Sequence, residues 1–420
     1  MAFQQGLSGL NSSARALDVI SSNVANASTA GFKASSAVFA DTFAAAMGGG
    51  TSSTQVGMGS VNQAVRQSFS QGAITATNNP LDMAIGGNGF FVVQRNNEST
   101  AYTRNGQFDL DKDGYIVTPL GERLMGYQSV ANDGTVSFIG NTTPRPILVP
   151  PTGISAAATG TTGTPVGIRA NLDSGLAVPA TAPFDQNDPT SYNFATSVAV
   201  YDSLGNQHSL ALYFVKQDPV ASPNTWDVYQ SFDNAAAGAA TTSLVFDQST
   251  GNWVSGGPIT VSVPAATVGT GAADLNFDVN LSAFTQRRSV SAVYETTQDG
   301  SPPGEVASVS VSSEGLVQAR YTNGQTRDLG KVILATFRNP NGLSSVGDNL
   351  WAETIDSGSA ALAGPGDGLN GTINSGRIEE SNVDMSQELV YMIIQQRNYQ
   401  ANAQSIRTQD QLLQTLINLR

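Results

Sequence analysis

The sequence predicts an α+β protein of several domains, in which terminal α-helical coiled-coil arms pack together and nested all-β domains lie between them. All 18 prolines fall between Pro80 and Pro365, so both chain ends are free of the residue that breaks helices. Between the ends, Val, Thr, Tyr and Phe alternate with polar residues, and Asn-Gly and Asp-Gly pairs recur as turns, which is typical of strands joined by hairpins. With 420 residues, 40% of them hydrophobic, the chain can fill two or three compact cores.

The first arm is predicted by an apolar stripe that starts at Phe3 and recurs at alternating spacings of three and four residues. This spacing is the a/d pattern of a coiled coil. Only Ser21 interrupts the stripe. The residues that we predict to pack between subunits are Leu7, Leu10, Ala14, Leu17 and Val24.

The second arm is predicted to begin at Asp384, which can cap a helix with Gln387 three residues later. The same apolar spacing follows, with Gln396 and Asp410 at two of its positions. Gln and Asn dominate the rest of the helix surface, where a solvated helix normally carries Lys and Glu. The predicted packing residues of this arm are Leu389, Met392, Tyr399, Ala403, Ile406, Leu413 and Ile417.

Composition shifts divide the middle of the chain. Residues 148–296 hold 10 of the 18 prolines, with 4 basic and 11 acidic residues, which favours an outer β insertion domain. We expect an inner β domain from residues 71–147 and 297–365, with predicted strands such as Val306 to Val311. Residues 1–70 and 366–420 would form the helical core and its connectors, among them the Gly- and Ser-rich segment 48–59.

Charge and composition exclude several classes of function. The formal charge is −13, from 20 basic and 33 acidic residues, so a nucleic-acid partner is not expected. Cysteine is absent, which excludes disulfides and cysteine-based zinc sites. The first ten residues lack the pattern of a cleaved signal peptide, and no apolar stretch is long enough for membrane insertion.

Two constellations could carry chemistry. Asp109, Asp111, Asp113 and Gly114 match the start of a calcium loop, but Leu120 stands where its bidentate Glu belongs, so we interpret the segment as a hairpin turn. His208, the one histidine, follows an Asp-Ser-Leu-Gly-Asn turn, and a hydrolytic triad draws its members from separate elements. We therefore predict no enzyme, and no catalytic, metal or cofactor site.

Several motifs occur together in a fixed order. The N-terminal ones are Ser8-Gly9-Leu10, the run from Leu17 to Asn26, and Thr29-Ala30-Gly31-Phe32-Lys33. The C-terminal ones are Ser381-Asn382-Val383-Asp384 and Gln396-Arg397-Asn398-Tyr399-Gln400-Ala401-Asn402. The middle adds Asn79-Pro80-Leu81-Asp82, then Asp202-Ser203-Leu204-Gly205-Asn206 with His208, and Tyr321-Thr322-Asn323-Gly324.

In these motifs the sequence resembles the axial proteins of the bacterial flagellum, the rod and hook family, and in its middle the hook branch. Ala30 stands where the family commonly has Pro, although Gly31 could still end the helix in the left-handed conformation. The residues that match the family motifs are Asn23, Asn26, Gly31, Phe32, Asn382, Val383, Asp384, Gln396, Arg397, Tyr399, Gln400, Ala401 and Asn402.

The resemblance implies a structural subunit that self-assembles into a flexible curved tube, a universal joint that transmits torque from motor and rod to filament. The subunit would leave the cell through the flagellar type III export apparatus without a cleaved signal peptide and reside extracellularly, in the hook and basal body. Besides itself, its implied partners are the distal rod, the hook cap and the hook–filament junction proteins. The alternatives are a distal-rod protein and, more distantly, a secreted β-rich adhesin or polysaccharide-acting protein.

Overall fold

The computed structural model describes residues 2–41, 59–128 and 143–418 of the chain. Within these ranges the α-helices are α1 (Ala2–Ala25), α2 (Ala265–Val268) and α3 (Met385–Asn418), and a short 3-10 helix spans Pro340–Gly342. The rest of the region between α1 and α3 is almost entirely strand and turn. The α+β fold class with helical chain ends is therefore confirmed. The chain divides into two compact units, a first made of Met1–Val149, Ser308–Ala319 and Thr326–Arg420 and a second made of Pro150–Ala307 and Arg320–Gln325.

The first ten strands follow α1 in the first unit. They are β1 (Ser35–Asp41), β2 (Ser60–Gln67), β3 (Ile74–Ala76), β4 (Met83–Gly86), β5 (Phe90–Gln94), β6 (Thr100–Thr103), β7 (Asp109–Leu110), β8 (Ile116–Val117), β9 (Arg123–Gln128) and β10 (Arg145–Pro146). β1 and β2 form an antiparallel pair of their own. Two hydroxyl contacts tie this pair to α1, because Ser12 Oγ lies 2.9 Å from Ser60 Oγ and the Ser60 amide donates to Ser8 Oγ.

The second unit is a sandwich of two five-stranded sheets. Its strands are β11 (Val166–Asp173), β12 (Phe194–Tyr201), β13 (Gln207–Lys216), β14 (Thr225–Phe232), β15 (Thr242–Phe246), β16 (Trp253–Ser255), β17 (Ile259–Val263), β18 (Leu275–Asn280), β19 (Thr285–Arg287) and β20 (Ala292–Thr297). One sheet has the order β12-β13-β14-β15-β16, and the other combines β17-β18-β11-β19 with β20 beside β11. Alternate residues of both sheets bury one core around Phe214, Trp226 and Phe284, as the two-residue period of a strand predicts.

The remaining strands belong mainly to the first unit. They are β21 (Val306–Val311), β22 (Leu316–Tyr321), β23 (Thr326–Val332), β24 (Leu334–Thr336), β25 (Ser344–Gly347), β26 (Leu350–Ala352), β27 (Ala361–Ala363), β28 (Thr372–Ser375) and β29 (Arg377–Glu379). The described strands β21-β22-β23-β9-β5-β6-β26-β25 run in that order through one large sheet. An aromatic core packs on it, in which Phe69, Phe90 and Trp351 meet edge to face.

Several sequence expectations can be compared with these bounds. β21 coincides with the predicted strand Val306 to Val311. Asp384 caps α3 as predicted, because its Oδ1 accepts hydrogen bonds from the amides of Ser386 and Gln387. β28 and β29 lie within the segment 366–420 that we assigned to the helical core, yet they pair with β4 and β3.

Gly31 departs from its predicted role. It has the expected left-handed backbone, with φ of 70°, but α1 already ends at Ala25. Turns from Asn26 onward separate the helix from Gly31, so Gly31 turns the chain rather than ending the helix. The predicted connector 48–59 lies outside the described residues except for Gly59.

Candidate arm junction and packing surfaces

A buried ion cluster joins the N-terminal and C-terminal segments of the first unit. Glu379, the last residue of β29, places Oε1 2.6 Å from Lys33 Nζ and Oε2 3.2 Å from Arg104 Nη1. The amide of Gly72 also donates to Oε1, at 2.9 Å. Both the Lys33 and Glu379 side chains are fully buried, and Arg104 is 3% exposed. The single carboxylate thus connects chain segments that lie 275 to 346 positions from it in sequence.

The backbone around Gly31 brings Lys33 into this cluster. The Gly31 amide donates to the carbonyl of Glu379 at 2.8 Å. A Cβ at this position would lie 2.4 Å from the amide nitrogen of Asn105, and the left-handed φ also favours glycine. Gly31 therefore permits the close approach that aligns Lys33 with Glu379.

The cluster contains two cations and one carboxylate. Burial is the largest influence and lowers the pKa of Lys33, and the hydrogen bond and charge of Glu379 only partly oppose it. Burial likewise lowers the pKa of Arg104 against the attraction of Glu379. Because a buried charge without a partner is very unfavourable, Glu379 holds both cations in place.

Two asparagines of the family motifs extend the junction. Asn23, at the end of α1, donates from Nδ2 to the Ser35 carbonyl at 2.8 Å and to Glu388 Oε1 at 3.0 Å, while its Oδ1 accepts the Ser35 amide. Asn382 accepts the Ala34 amide at 2.7 Å and donates to the carbonyl of Ser68. Each side chain therefore satisfies backbone groups of the chain next to β1 and β2 and fixes where the arms leave the β body.

The two long helices approach closely along small residues of α1. A Cβ at Gly6 would lie 3.0 Å from Ile406 Cγ1, and one at Gly9 would lie 2.8 Å from Asn402 Nδ2. The buried positions of α1 are Gly6, Ser13, Ala16, Ile20 and Asn23. This stripe is displaced by one position from most of the apolar seam that the sequence predicts.

The predicted packing residues therefore lie mostly beside the helix contact. In α1, Leu7 is 44% exposed and Leu10, Ala14, Leu17 and Val24 are half-buried. In α3, Met392, Ala403 and Ile406 are half-buried, whereas Leu389, Tyr399 and Leu413 are exposed. The side chain of Ile417 lies outside the described residues. Their role between subunits stays a prediction.

Helix α3 carries more exposed apolar surface than the sequence pattern indicated. Up to Thr415, where its described side chains end, the helix has no buried side chain. Beyond the predicted residues, its exposed apolar side chains are Met385, Val390, Tyr391, Ile393, Ile394 and Leu412. A helix that is apolar on several sides is normally covered on several sides.

The motif residues fall into two groups. Asn23, Gly31 and Asn382 meet at the junction, and nearby Asn26 accepts a hydrogen bond from the Thr29 hydroxyl. Phe32 and Val383 are half-buried beside them. By contrast, five motif residues remain exposed along α3, namely Gln396, Arg397, Tyr399, Gln400 and Ala401.

The sequence reading missed Arg104 and Glu379. One signal was available, because Lys33 is the only charged residue between Asp18 and Asp41, and a lone cation beside a turn glycine suggests a buried partner. The identity of that partner had no sequence signal, since Glu379 ends β29 and Arg104 follows β6, far from Lys33 in the sequence.

The two residue groups considered above for chemistry, Asp109 to Gly114 and the turn before His208, make hydrogen bonds that stabilise the local fold. Asp109 lies in β7, which pairs with β8, and Asp111 Oδ1 accepts the amides of Asp113 and Tyr115 within the turn. The Ser203 hydroxyl accepts the Ala273 amide, and His208 contacts two aspartates. In the described ranges, no three acidic or histidine side chains are grouped to hold a metal ion, and no helix there is long and apolar enough to cross a membrane.

Comparison with known proteins gives matches along the whole chain. Four family models match in order: "Flagella basal body rod protein" at residues 3–33, "Flagellar hook protein FlgE/F/G D1 domain" at 84–164, "Flagellar basal body protein FlaE D2 domain" at 171–301 and "Flagellar basal body rod FlgEFG protein C-terminal" at 374–419. The flagellar hook protein FlgE of Salmonella typhimurium is 42% identical over 425 residues, covering 100% of both chains. That of Escherichia coli is 41% identical, with the same coverage.

A solved structure has a similar fold. The Helicobacter pylori flagellar hook protein FlgE2 aligns with a TM-score of 0.52 at 17% identity, covering 71% of this chain and 99% of that one.

Proposed function

The chain belongs to the family of flagellar hook proteins and is a structural subunit of the flagellar hook, and from this membership we propose that its two arms form the core of the tube. The observation that supports this proposal is the exposed apolar surface of α1 and α3. Fully burying a Leu or Ile side chain contributes about 1.5–3 kcal/mol. Since Leu7, Leu389 and Leu413 are 44%, 46% and 53% exposed in one copy, the remaining part of that free energy becomes available only when neighbouring copies cover them.

The β regions would lie outside this core. We propose that residues 148–296 form the outer domain and residues 71–147 with 297–365 the inner one. The second unit buries a complete core of its own, which supports an outer domain that keeps its fold while the tube bends. A tube of such subunits would act as a universal joint that carries torque from motor and rod to filament.

The implied partners follow from position in the flagellum. The distal rod would lie at one end of the tube, and the hook cap and then the hook–filament junction proteins at the other. Export through the flagellar type III apparatus without a cleaved signal peptide would deliver the subunit there. The distal-rod alternative is not favoured, because the relatives that match the full chain are hook proteins.

Electron microscopy of a single variant tests the packing role. Leu413→Asp removes an exposed apolar side chain and, in an assembled tube, would bury an unpaired charge. We expect the thermal unfolding of the soluble β units to be unchanged, while tube formation is lost at concentrations where the parent chain assembles.

The matched control is Gln411→Asp, which adds the same charge to the same helix at an exposed amide. We expect this variant to assemble. The proposed role of the α3 apolar surface would be wrong if Leu413→Asp formed tubes at the parent concentration. It would also be wrong if both variants lost tube formation equally.

A further inference from the structure

His208 lies at one end of the sandwich in the second unit. It is the second residue of β13 and pairs with Val200 of β12. Its ring stacks on Phe232 of β14 at 5.1 Å between centroids, and its side chain is only 6% exposed. The hook function proposed above makes no use of this residue.

Both ring nitrogens of His208 face carboxylates. Nδ1 lies 2.6 Å from Asp233 Oδ2, and Nε2 lies 3.3 Å from Asp202 Oδ2. An ionised carboxylate only accepts hydrogen bonds, and a neutral imidazole has only one N–H to donate. Both contacts can therefore be hydrogen bonds only while the ring carries two protons and a positive charge.

Asp202 connects this ring to the opposite sheet. Its Oδ2 also accepts the Thr270 hydroxyl at 2.6 Å and Asn206 Nδ2 at 2.9 Å. Thr270 lies between α2 and β18, and the amide of Ala273 in the same connection donates to Ser203 Oγ. The group thus ties the β12–β13 turn to the connection that precedes β18.

The surrounding charges favour the protonated ring. Burial would lower the pKa of His208, but its hydrogen bonds and charge interactions with Asp233 and Asp202 outweigh this and raise it above the usual 6.5. Burial also acts to raise the pKa of Asp202, yet the hydrogen bonds from Thr270, Asn206 and His208 hold it well below its usual range. Among the residues that the structure describes, these two aspartates are the charged groups in contact with the ring, and Phe232, which stacks on it, is neutral.

We propose that His208, Asp202 and Asp233 form a proton-operated latch, which closes this end of the sandwich while the ring is protonated and loosens it when the ring loses that proton. Loss of the proton leaves a nitrogen lone pair facing a carboxylate oxygen, and the longer contact to Asp202 is the one that opens. Because the proton is held more tightly in the folded chain, the latch contributes fully below pH 6.5. Its contribution is lost as the pH rises through the folded pKa.

The single histidine makes the test direct. In the full chain, the ring resonance of His208 is followed by NMR against pH, together with hydrogen exchange of the amides in residues 202–206 and 270–273, corrected for the intrinsic rate. We expect a midpoint above 6.5 and a loss of amide protection with the same midpoint. His208→Gln should abolish the pH step in protection.

Two further variants keep the proposal testable if His208→Gln folds poorly. Asp233→Asn removes one carboxylate and should lower the midpoint by about 1 pH unit. Asp227→Asn, on β14 of the same sheet but bonded to the Ser243 hydroxyl, should leave the midpoint unchanged. The latch would be overturned by a His208 titration midpoint at or below 6.5 or by equal midpoint shifts in the two Asp variants. It would also be overturned if amide protection did not change as His208 titrates.

Discussion

Glu379 faces two buried cations, so its removal is much more costly than the loss of one ordinary contact. Glu379→Ala would leave Lys33 and Arg104 buried without a counter-charge. We expect the free energy of unfolding of the first unit to fall by about 3–5 kcal/mol, measured by urea unfolding of the soluble chain.

A surface ion pair of the same chemistry provides the control. Arg169 and Glu295 lie 3.4 Å apart, with both side chains more than half exposed, and such pairs contribute at most about 1 kcal/mol. Glu295→Ala should therefore leave stability nearly unchanged. If both variants lowered the free energy of unfolding by similar amounts, burial would not be the reason that Glu379 stabilises the fold.

At the scale of elements, the absence of cysteine from the chain allows the α1–α3 contact to be tested by one engineered disulfide. Gly9→Cys combined with Asn402→Cys places two thiols where a Cβ at Gly9 nearly touches the Asn402 amide. We expect this pair to oxidise readily in dilute solution, as measured by non-reducing electrophoresis. The pairing of Gly9→Cys with Gln400→Cys, on an exposed part of α3, should not oxidise, and equal oxidation would contradict the observed helix register.

The sequence predicted that the arms are helical but not which side of α1 meets α3. A spacing of three and four residues marks the apolar side of a helix, and that side does exist in α1. The side against α3 instead includes Gly6 and Gly9, because small residues permit a close approach. Apolar periodicity does not detect such a contact.

For the β elements too, the sequence predicted the individual strands but not the contacts between distant segments. Alternating Val and Ser predicted β21 to the residue, since a half-buried strand repeats every two residues. The junction had no comparable signal, because Lys33, Arg104 and Glu379 come from three distant segments and meet only in the folded chain. Asn23 and Asn382 were identified only by resemblance, and their hydrogen bonds to backbone groups give the physical reason for their place in the motifs.

For the whole molecule, we expect the second unit to fold alone. Residues 150–307 contain the entire sandwich core, and the excised segment should melt cooperatively in calorimetry. It lacks residues 320–325, whose contacts include the Thr322 amide to the Glu305 carbonyl and Asn323 Nδ2 to the Pro302 carbonyl. Each lost hydrogen bond should lower stability by about 1 kcal/mol. A molten product that binds hydrophobic dyes would show instead that the sandwich needs the rest of the chain.

The lack of buried side chains on the described part of α3 has a thermal consequence for assembly. If neighbouring copies supply the cover, adding a subunit removes apolar surface from water and has a negative heat-capacity change. Near room temperature, such a process is driven mainly by entropy and weakens on cooling. The critical concentration of free subunit at the growing end should therefore rise in the cold, although the β units, whose cores are complete within each copy, keep their fold.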